Sequence, residues 1–232
     1  MIGRRPLSID EAQPWLSFIV IDLACYIFSS DYPCYTFDSG GYAMSRIKAL
    51  NEPYPDEVRA DFDKIMGVGV PPLVLFSTVA CSDRAWRKFK GGSLLDGSLL
   101  KLRQRELVIN RVCARTECEY EWGVHVMAFA QAAGLTREEV AGTLEYPLRP
   151  GLWREEEAAL LIAIDALHDR AALSDEEFLA LRKHFDDDQI LEILMLAGFY
   201  RTVSYIANGL LLPLEQNAAN FSEYRKGRPA EH

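Results

Sequence analysis

No Cys-x-x-Cys pair occurs in this chain of 232 residues, and its five cysteines have no regular spacing. That excludes a spelled-out dithiol centre and the paired-cysteine pattern of structural zinc sites. A disulfide framework suits a small secreted domain, whereas this chain is long enough to bury a core without staples. Cysteine usage therefore predicts a reducing, cytoplasmic setting, with Cys25, Cys34, Cys81 and Cys113 as small hydrophobes among apolar and aromatic neighbours. Excess positive charge is missing too. With 34 acidic and 25 basic residues the net charge is −9, and a nucleic-acid binder needs a basic patch. The longest basic run, Arg84 to Lys90, is broken by Ala85, Trp86 and Phe89 and reads as an exposed helix end or loop. The N-terminal apolar run, Trp15 to Phe28, is shorter than the ~20 residues of a membrane span, so no membrane partner is expected. No segment alternates cleanly with period two, which leaves no expectation of strands.

What the chain has instead is helical periodicity from Met44 onward. Residues 1–43 differ in composition, with Arg4-Arg5, the apolar run interrupted by Asp22, then Ser, Asp, Pro, Gly and Tyr. They read as an N-terminal extension outside the fold, with 44–232 as one helical domain. Three origins fit: translation upstream of a start at Met44, a genuine extension, or a targeting segment. Arginines before a short apolar stretch suggest a signal peptide, but Asp22 interrupts that stretch.

Downstream, Val58, Phe62 and Ile65 predict a helix over 56–66 with Asp56 as N-cap. Pro71-Pro72 opens a helix to Cys81, and another runs over 99–115. Thr116-Glu117 breaks it, and the next helix covers 119–133, stopped by Gly134. Capping boxes, Thr136 with Glu139 and Ser174 with Glu177, start two more helices on either side of a long one over 155–169. Asp188 caps the last, 189–212, which Pro213 ends. The fold class is all-α, a compact multi-helix domain. Its last helix is too apolar for a surface element and is expected to be buried in the fold or in an oligomer interface.

Chemistry concentrates in Cys118-Glu119-Tyr120-Glu121-Trp122-Gly123-Val124-His125. Spacings of three and four put Cys118, Glu121 and His125 on one helix face. Glu106, upstream in Arg105-Glu106-Leu107, can join them from a neighbouring helix. At a helix start the dipole favours the Cys118 thiolate. Glu121, one turn before His125, has the spacing of a carboxylate–imidazole contact that raises the imidazole pKa. If Glu106 points inward it is a buried carboxylate usable as an acid. Each residue has an inert reading as well: a surface Glu–His pair worth a few tenths of a kcal/mol, an unreactive thiol, and a solvated partner of Arg103 or Arg105. Glu121 and His125 with Glu106 or His168 match no recognised metal-ligand pattern, so no metal is assigned. His168 and His184 read as helix C-terminal histidines, and Trp122 and Phe129 as core or pocket wall.

Three stretches together resemble the carboxymuconolactone decarboxylase and alkylhydroperoxidase-D-like family, over roughly 44–215. They are Leu102-x-x-Arg105-Glu106-Leu107, Cys118-x-Tyr120-Glu121-Trp122-x-x-His125 and Gly134-Leu135-Thr136-x-Glu138-Glu139. The resemblance implies an all-helical fold assembled as homotrimers or homohexamers, active sites near subunit interfaces, and no organic cofactor. Glu106 then matches the family's proton-relay glutamate, Cys118 the first cysteine of its redox branch, and His125 that branch's histidine. The chain departs at Glu121, where that branch has its resolving cysteine, and at Tyr120, often a histidine there. Cys113, on the preceding helix, is not expected to reach Cys118, so a sulfenic acid there would have no neighbouring thiol. The expectation is a cofactor-free lyase acting on a small unsaturated, anionic lactone. In it His125 is the acid, Glu121 its orienting partner, Glu106 a second acid/base, and Cys118 a weak donor in the pocket wall. The alternatives are a thiol-dependent peroxidase using Cys118 and a non-catalytic helical oligomer.

Overall fold

The structure is a computed structural model that describes residues 45–95 and 97–225. The expected extension 1–43, with its apolar run, Cys25 and Cys34, and the start at Met44 lie outside the described residues. All regular structure among the described residues is helical. Contacts divide the chain into two units, one containing 55–72 and the other containing 45–54 and everything from Leu73 on.

In the first unit, α1 (Asp56–Met66) buries Val58, Phe62 and Met66, a spacing of four that keeps them on one face. Pro55, not Asp56, holds its N-cap position. Asp56 lies in the first turn, where its charge suits the helix dipole.

In the second unit, α2 (Val74–Val79) and α3 (Asp83–Lys90) lead into α4 (Leu102–Arg115) and α5 (Glu119–Phe129). The basic run is thus a complete helix rather than a helix end. Ser82 caps it, and Trp86 is buried and stacks on Phe89. Then come α6 (Arg137–Thr143), α7 (Glu155–Arg170), α8 (Asp175–Arg182), α9 (Asp187–Leu210) and α10 (Phe221–Tyr224). Both expected capping boxes form, with Thr136 accepting from the Glu139 N–H and Ser174 from the Glu177 N–H. The cap of α9 is Asp186 instead of Asp188.

α4 is the central helix. Every residue from Gln104 to Ala114 is buried, because α5, α7 and α9 pack around it and α6 lies against it. A helix so enclosed must satisfy its polar side chains internally. Arg103 reaches Glu157 at 2.6 Å, Arg111 reaches Asp165 at 2.7 Å, and Arg115 reaches Asp169 at 2.7 Å. Each pair joins residues 54 apart, and a constant offset means that α4 and α7 run parallel and in register. α5 folds back on α4 after a turn through Glu117, whose φ of 51° is left-handed.

α9 is buried on one face through Ile193, Leu196, Ala197, Tyr200, Val203 and Ala207. Its other face exposes Leu191, Met195 and Tyr205. By length and composition it is long and apolar enough to cross a membrane, but its buried face is bundle core.

Gly123 fixes how closely the C-terminal segment lies on α5. A Cβ there would stand 2.1 Å from the Ala219 carbonyl oxygen, whereas Ala219 N–H donates to Gly123 O at 3.3 Å. Just beyond, Phe221 and Tyr224 pack edge-on against Trp122, at 5.2 and 5.3 Å between ring centroids. Gly123→Ala should displace this segment at a cost of about 1–3 kcal/mol. Limited proteolysis should then clip the chain after α9, where wild type resists; an uncut Gly123→Ala protein would show that the segment yields without detaching.

Candidate active site

α4 and α5 face each other, and their interior sides bring the predicted residues together. Glu106 is fully buried, and each of its oxygens has its own cation. Oε1 accepts from Arg105 Nε at 3.0 Å, and Oε2 lies 2.8 Å from His125 Nδ1. Glu106 is therefore neither a solvated surface partner nor a lone buried acid, because its arginine partner is buried with it. The other ring nitrogen of His125, Nε2, is 3.0 Å from the Tyr200 hydroxyl on α9 and 3.4 Å from Glu121 Oε1. The imidazole is held edge-on to the Tyr200 ring at 5.1 Å and beside Phe129 at 5.2 Å.

Burial pulls the His125 pKa down, but the charge of Glu106 and hydrogen bonds to Glu106 and Glu121 outweigh it and raise the value to about 9. At neutral pH His125 is an imidazolium. It is poised to give a proton rather than to take one. Burial first, then the charges of Glu121 and Glu106, push the Tyr200 hydroxyl well above its ordinary value, so it stays protonated. The second oxygen of Glu121, Oε2, is buried without a hydrogen-bond partner in the protein. A buried acceptor left open is costly.

Cys118 occupies the N-cap of α5, as its sequence position implies. Its thiol pKa is lowered, first by a hydrogen bond from Cys113, against burial, with further help from the Glu121 N–H. This corrects the expectation that Cys118 has no neighbouring thiol. Cys113 is buried beside it, with its own pKa pushed well up by burial and by its bond to the Cys118 sulfur. The turn between the helices does this, since Cys118 N–H donates to Cys113 O at 2.8 Å. Cys81, by contrast, is exposed rather than a core hydrophobe.

Tyr120 lies outside this cluster. Its hydroxyl accepts from Leu75 N–H at 3.0 Å and donates to Glu215, tying α2 and the C-terminal segment to α5. His168 is also elsewhere, with Nδ1 3.2 Å from an Arg201 nitrogen. His184, just past the end of α8, is partly exposed, with Nε2 3.9 Å from Glu155 Oε1.

Sequence reasoning missed Tyr200 and Ser204, whose hydroxyl lies beside both sulfurs; it named Arg105 as a partner of Glu106, but in solvent rather than buried. One signal was available: Tyr200 and Ser204 are polar at a spacing of four, on the helix face that also carries the apolar Leu196, Ala197, Val203 and Ala207.

Residues 82–165 match the model of the carboxymuconolactone decarboxylase family. Over this segment the chain is similar to the carboxymuconolactone decarboxylase/AhpD-like family. The matched segment holds Glu106, Cys118, Glu121 and His125, while Tyr200 and Ser204 come from beyond it. No curated protein matches the chain. Among solved structures, a protein of unknown function from Agrobacterium tumefaciens, named as an AhpD-type antioxidant defence protein, is 25% identical. It covers 60% of this chain and 95% of its own, with a TM-score of 0.55. An uncharacterized peroxidase-related protein from Silicibacter sp. TM1040 is 18% identical, covers 80% and 96%, and has a TM-score of 0.63. An AhpD-core, peroxidase-related protein from Ralstonia eutropha JMP134 is 20% identical, covers 75% and 94%, and has a TM-score of 0.62. At those last two identities the likeness is one of fold, an all-α bundle.

Proposed function

We propose that the chain is a cofactor-free lyase that protonates a carbanion formed by decarboxylation of a small unsaturated lactone acid. The observation that carries the reading is His125 held as an imidazolium between Glu106 and the Tyr200–Glu121 pair, next to an open carboxylate oxygen. In such a reaction the substrate carboxylate leaves as carbon dioxide, and its electron pair delocalises into the lactone as a dienolate. The carbanion then needs a proton at carbon. The imidazolium supplies it through Glu121 or the Tyr200 hydroxyl, both within reach of Nε2. Glu106 keeps the imidazole charged and fixes its ring. Arg105, bonded to Glu106, adds positive charge suited to an anionic substrate. Acid catalysis of this kind contributes about 10²–10⁴ in rate, and oriented donors in a dry site supply more.

The test is a melting-temperature series with unsaturated γ-lactones bearing a carboxylate, alongside muconate-like diacids. At least one lactone acid should stabilise the wild type and lose carbon dioxide in its presence, and Glu106→Gln should abolish both effects. If no member of the series shifts the melting temperature, or if the shift survives in Glu106→Gln, the reading fails.

A further inference from the structure

Apart from the proton relay, α4, α7 and α9 enclose a cavity of about 220 Å³. Its floor is the buried Val112, Ile164 and Ala197, and the half-buried Leu167 and Leu194 are its apolar walls. Gly198 on the rim leaves the space open, since a Cβ there would meet no atom within 4 Å. α7 stops at the same rim, where Ala171 takes a left-handed φ of 54° as its C-cap. Two polar side chains line the cavity. They are His168, in the last turn of α7, and Arg201, three residues past Gly198 on α9.

Arg201 has no carboxylate partner among the described residues. Its Nε donates to the Tyr205 hydroxyl at 2.7 Å, and Nη1 donates to His168 Nδ1 at 3.2 Å and to the His168 carbonyl at 3.4 Å. Each arginine of α4 and α7, by contrast, has an acid within ion-pair distance. A guanidinium can only donate, so His168 Nδ1 accepts and the neutral ring carries its proton on Nε2. Burial, then the charges of Arg115 and Arg201, hold the His168 pKa below its ordinary value, with Asp169 and Asp165 opposing them. The ring therefore stays neutral at pH 7. An apolar cavity thus carries a guanidinium without an acid and an imidazole N–H beside it. That combination suits a ligand with an apolar tail and an anionic head. At about 30 Å³ for each water-sized group, the volume takes roughly seven non-hydrogen atoms, which is a short aliphatic chain.

We propose that this cavity is a binding site for a medium-chain aliphatic monocarboxylate, with the tail against Val112, Ile164 and Leu194 and the carboxylate on Arg201 and His168. The proposal does not rest on the decarboxylation reading, since none of the lining residues belongs to the relay.

The experiment is calorimetric titration of the full chain with sodium hexanoate at pH 7, which should show one site per chain. Acetate, which lacks the tail, and hexanol, which lacks the charge, should each bind at least about tenfold more weakly. Arg201→Met should weaken hexanoate by about tenfold or more. Gly198→Leu, which puts a side chain into the open space, should abolish binding. Melting temperatures confirm that both variants are folded, and if Gly198→Leu is not, the Arg201 comparison decides. Glu106→Gln should bind hexanoate as the wild type does, which separates this cavity from the relay. Failure of the wild type to bind hexanoate overturns the proposal. So does unchanged affinity in Arg201→Met, which would leave that side chain as a tie between α9 and the end of α7. Equal affinity for hexanol would make the cavity an apolar void, and loss of binding in Glu106→Gln would move the anion to the relay; either result overturns the proposal as well.

Discussion

His125→Gln should lower turnover of a carboxylated lactone by about 10²–10⁴ and should also remove a pH-dependent part of the protein's stability. The folded imidazole is raised to about 9 by its partners, despite its burial, and an unfolded histidine titrates near 6.5. A group raised in this way contributes its full stabilisation below the unfolded value. The contribution declines as pH rises from about 6.5 and is gone above about 9. The amount at stake is on the order of 3 kcal/mol. Urea midpoints measured between pH 6 and pH 10 should therefore fall more steeply in the wild type than in His125→Gln. Curves that run parallel would mean that His125 is not held charged by Glu106. The same geometry predicts the rate profile. An acid with a pKa of about 9 stays loaded across neutral pH, so turnover should hold a plateau up to that value. A decline already at pH 6.5 would assign the acid to another group.

Much of the fold was legible because its signals are local. Thr136 and Ser174 each meet a glutamate three residues later, and both boxes form. Gly134 ends the segment after α5 with a φ of 64°, which its missing Cβ permits. Where three aspartates stand in a row, composition alone could not choose the cap, and the first of them, Asp186, takes it. Register between distant helices left no local trace. The α4–α7 pairing depends on a 54-residue offset that no window of one helix contains.

The site divides along the same line. Cys118, Glu121 and His125 lie at one helix and its N-cap, so spacing placed them on one face, and Glu106 meets His125 at 2.8 Å from the neighbouring helix. Tyr200 lies 75 residues beyond His125 and was invisible as a partner, since only α9 packing against α4 and α5 delivers it. Cys113 is a different kind of miss. Assigning it to another helix suggested distance, but the turn that ends α4 folds its carbonyl back onto Cys118. Two residues either side of a tight helical turn are neighbours even though no helical spacing relates them.

The largest loss of stability should follow from Arg111→Met. Arg111 is wholly buried on α4, five residues past Glu106. Its Nε and Nη2 meet the two Asp165 oxygens at 2.7 and 2.6 Å, and Nη1 donates to the carbonyls of Thr143 and Glu145 at 2.8 and 2.7 Å. Methionine fills most of the volume but satisfies none of these acceptors. Asp165 keeps only a longer contact to Arg115 Nε at 3.3 Å, and the end of α6 loses the donor that joins it to α4. Breaking a buried pair by removing one partner costs about 3–5 kcal/mol, which in a chain of this size lowers the melting temperature by roughly 10 °C. The penalty comes from the stranded acceptors rather than from lost attraction. Arg111→Met combined with Asp165→Leu should therefore recover a large part of it. A double variant no more stable than the single one would place the cost in packing instead. Because α4 also carries Glu106, slippage of its far end should loosen the Glu106–His125 contact. Turnover in Arg111→Met should then fall further than the folded fraction alone explains, which separates positioning of the relay from simple loss of fold.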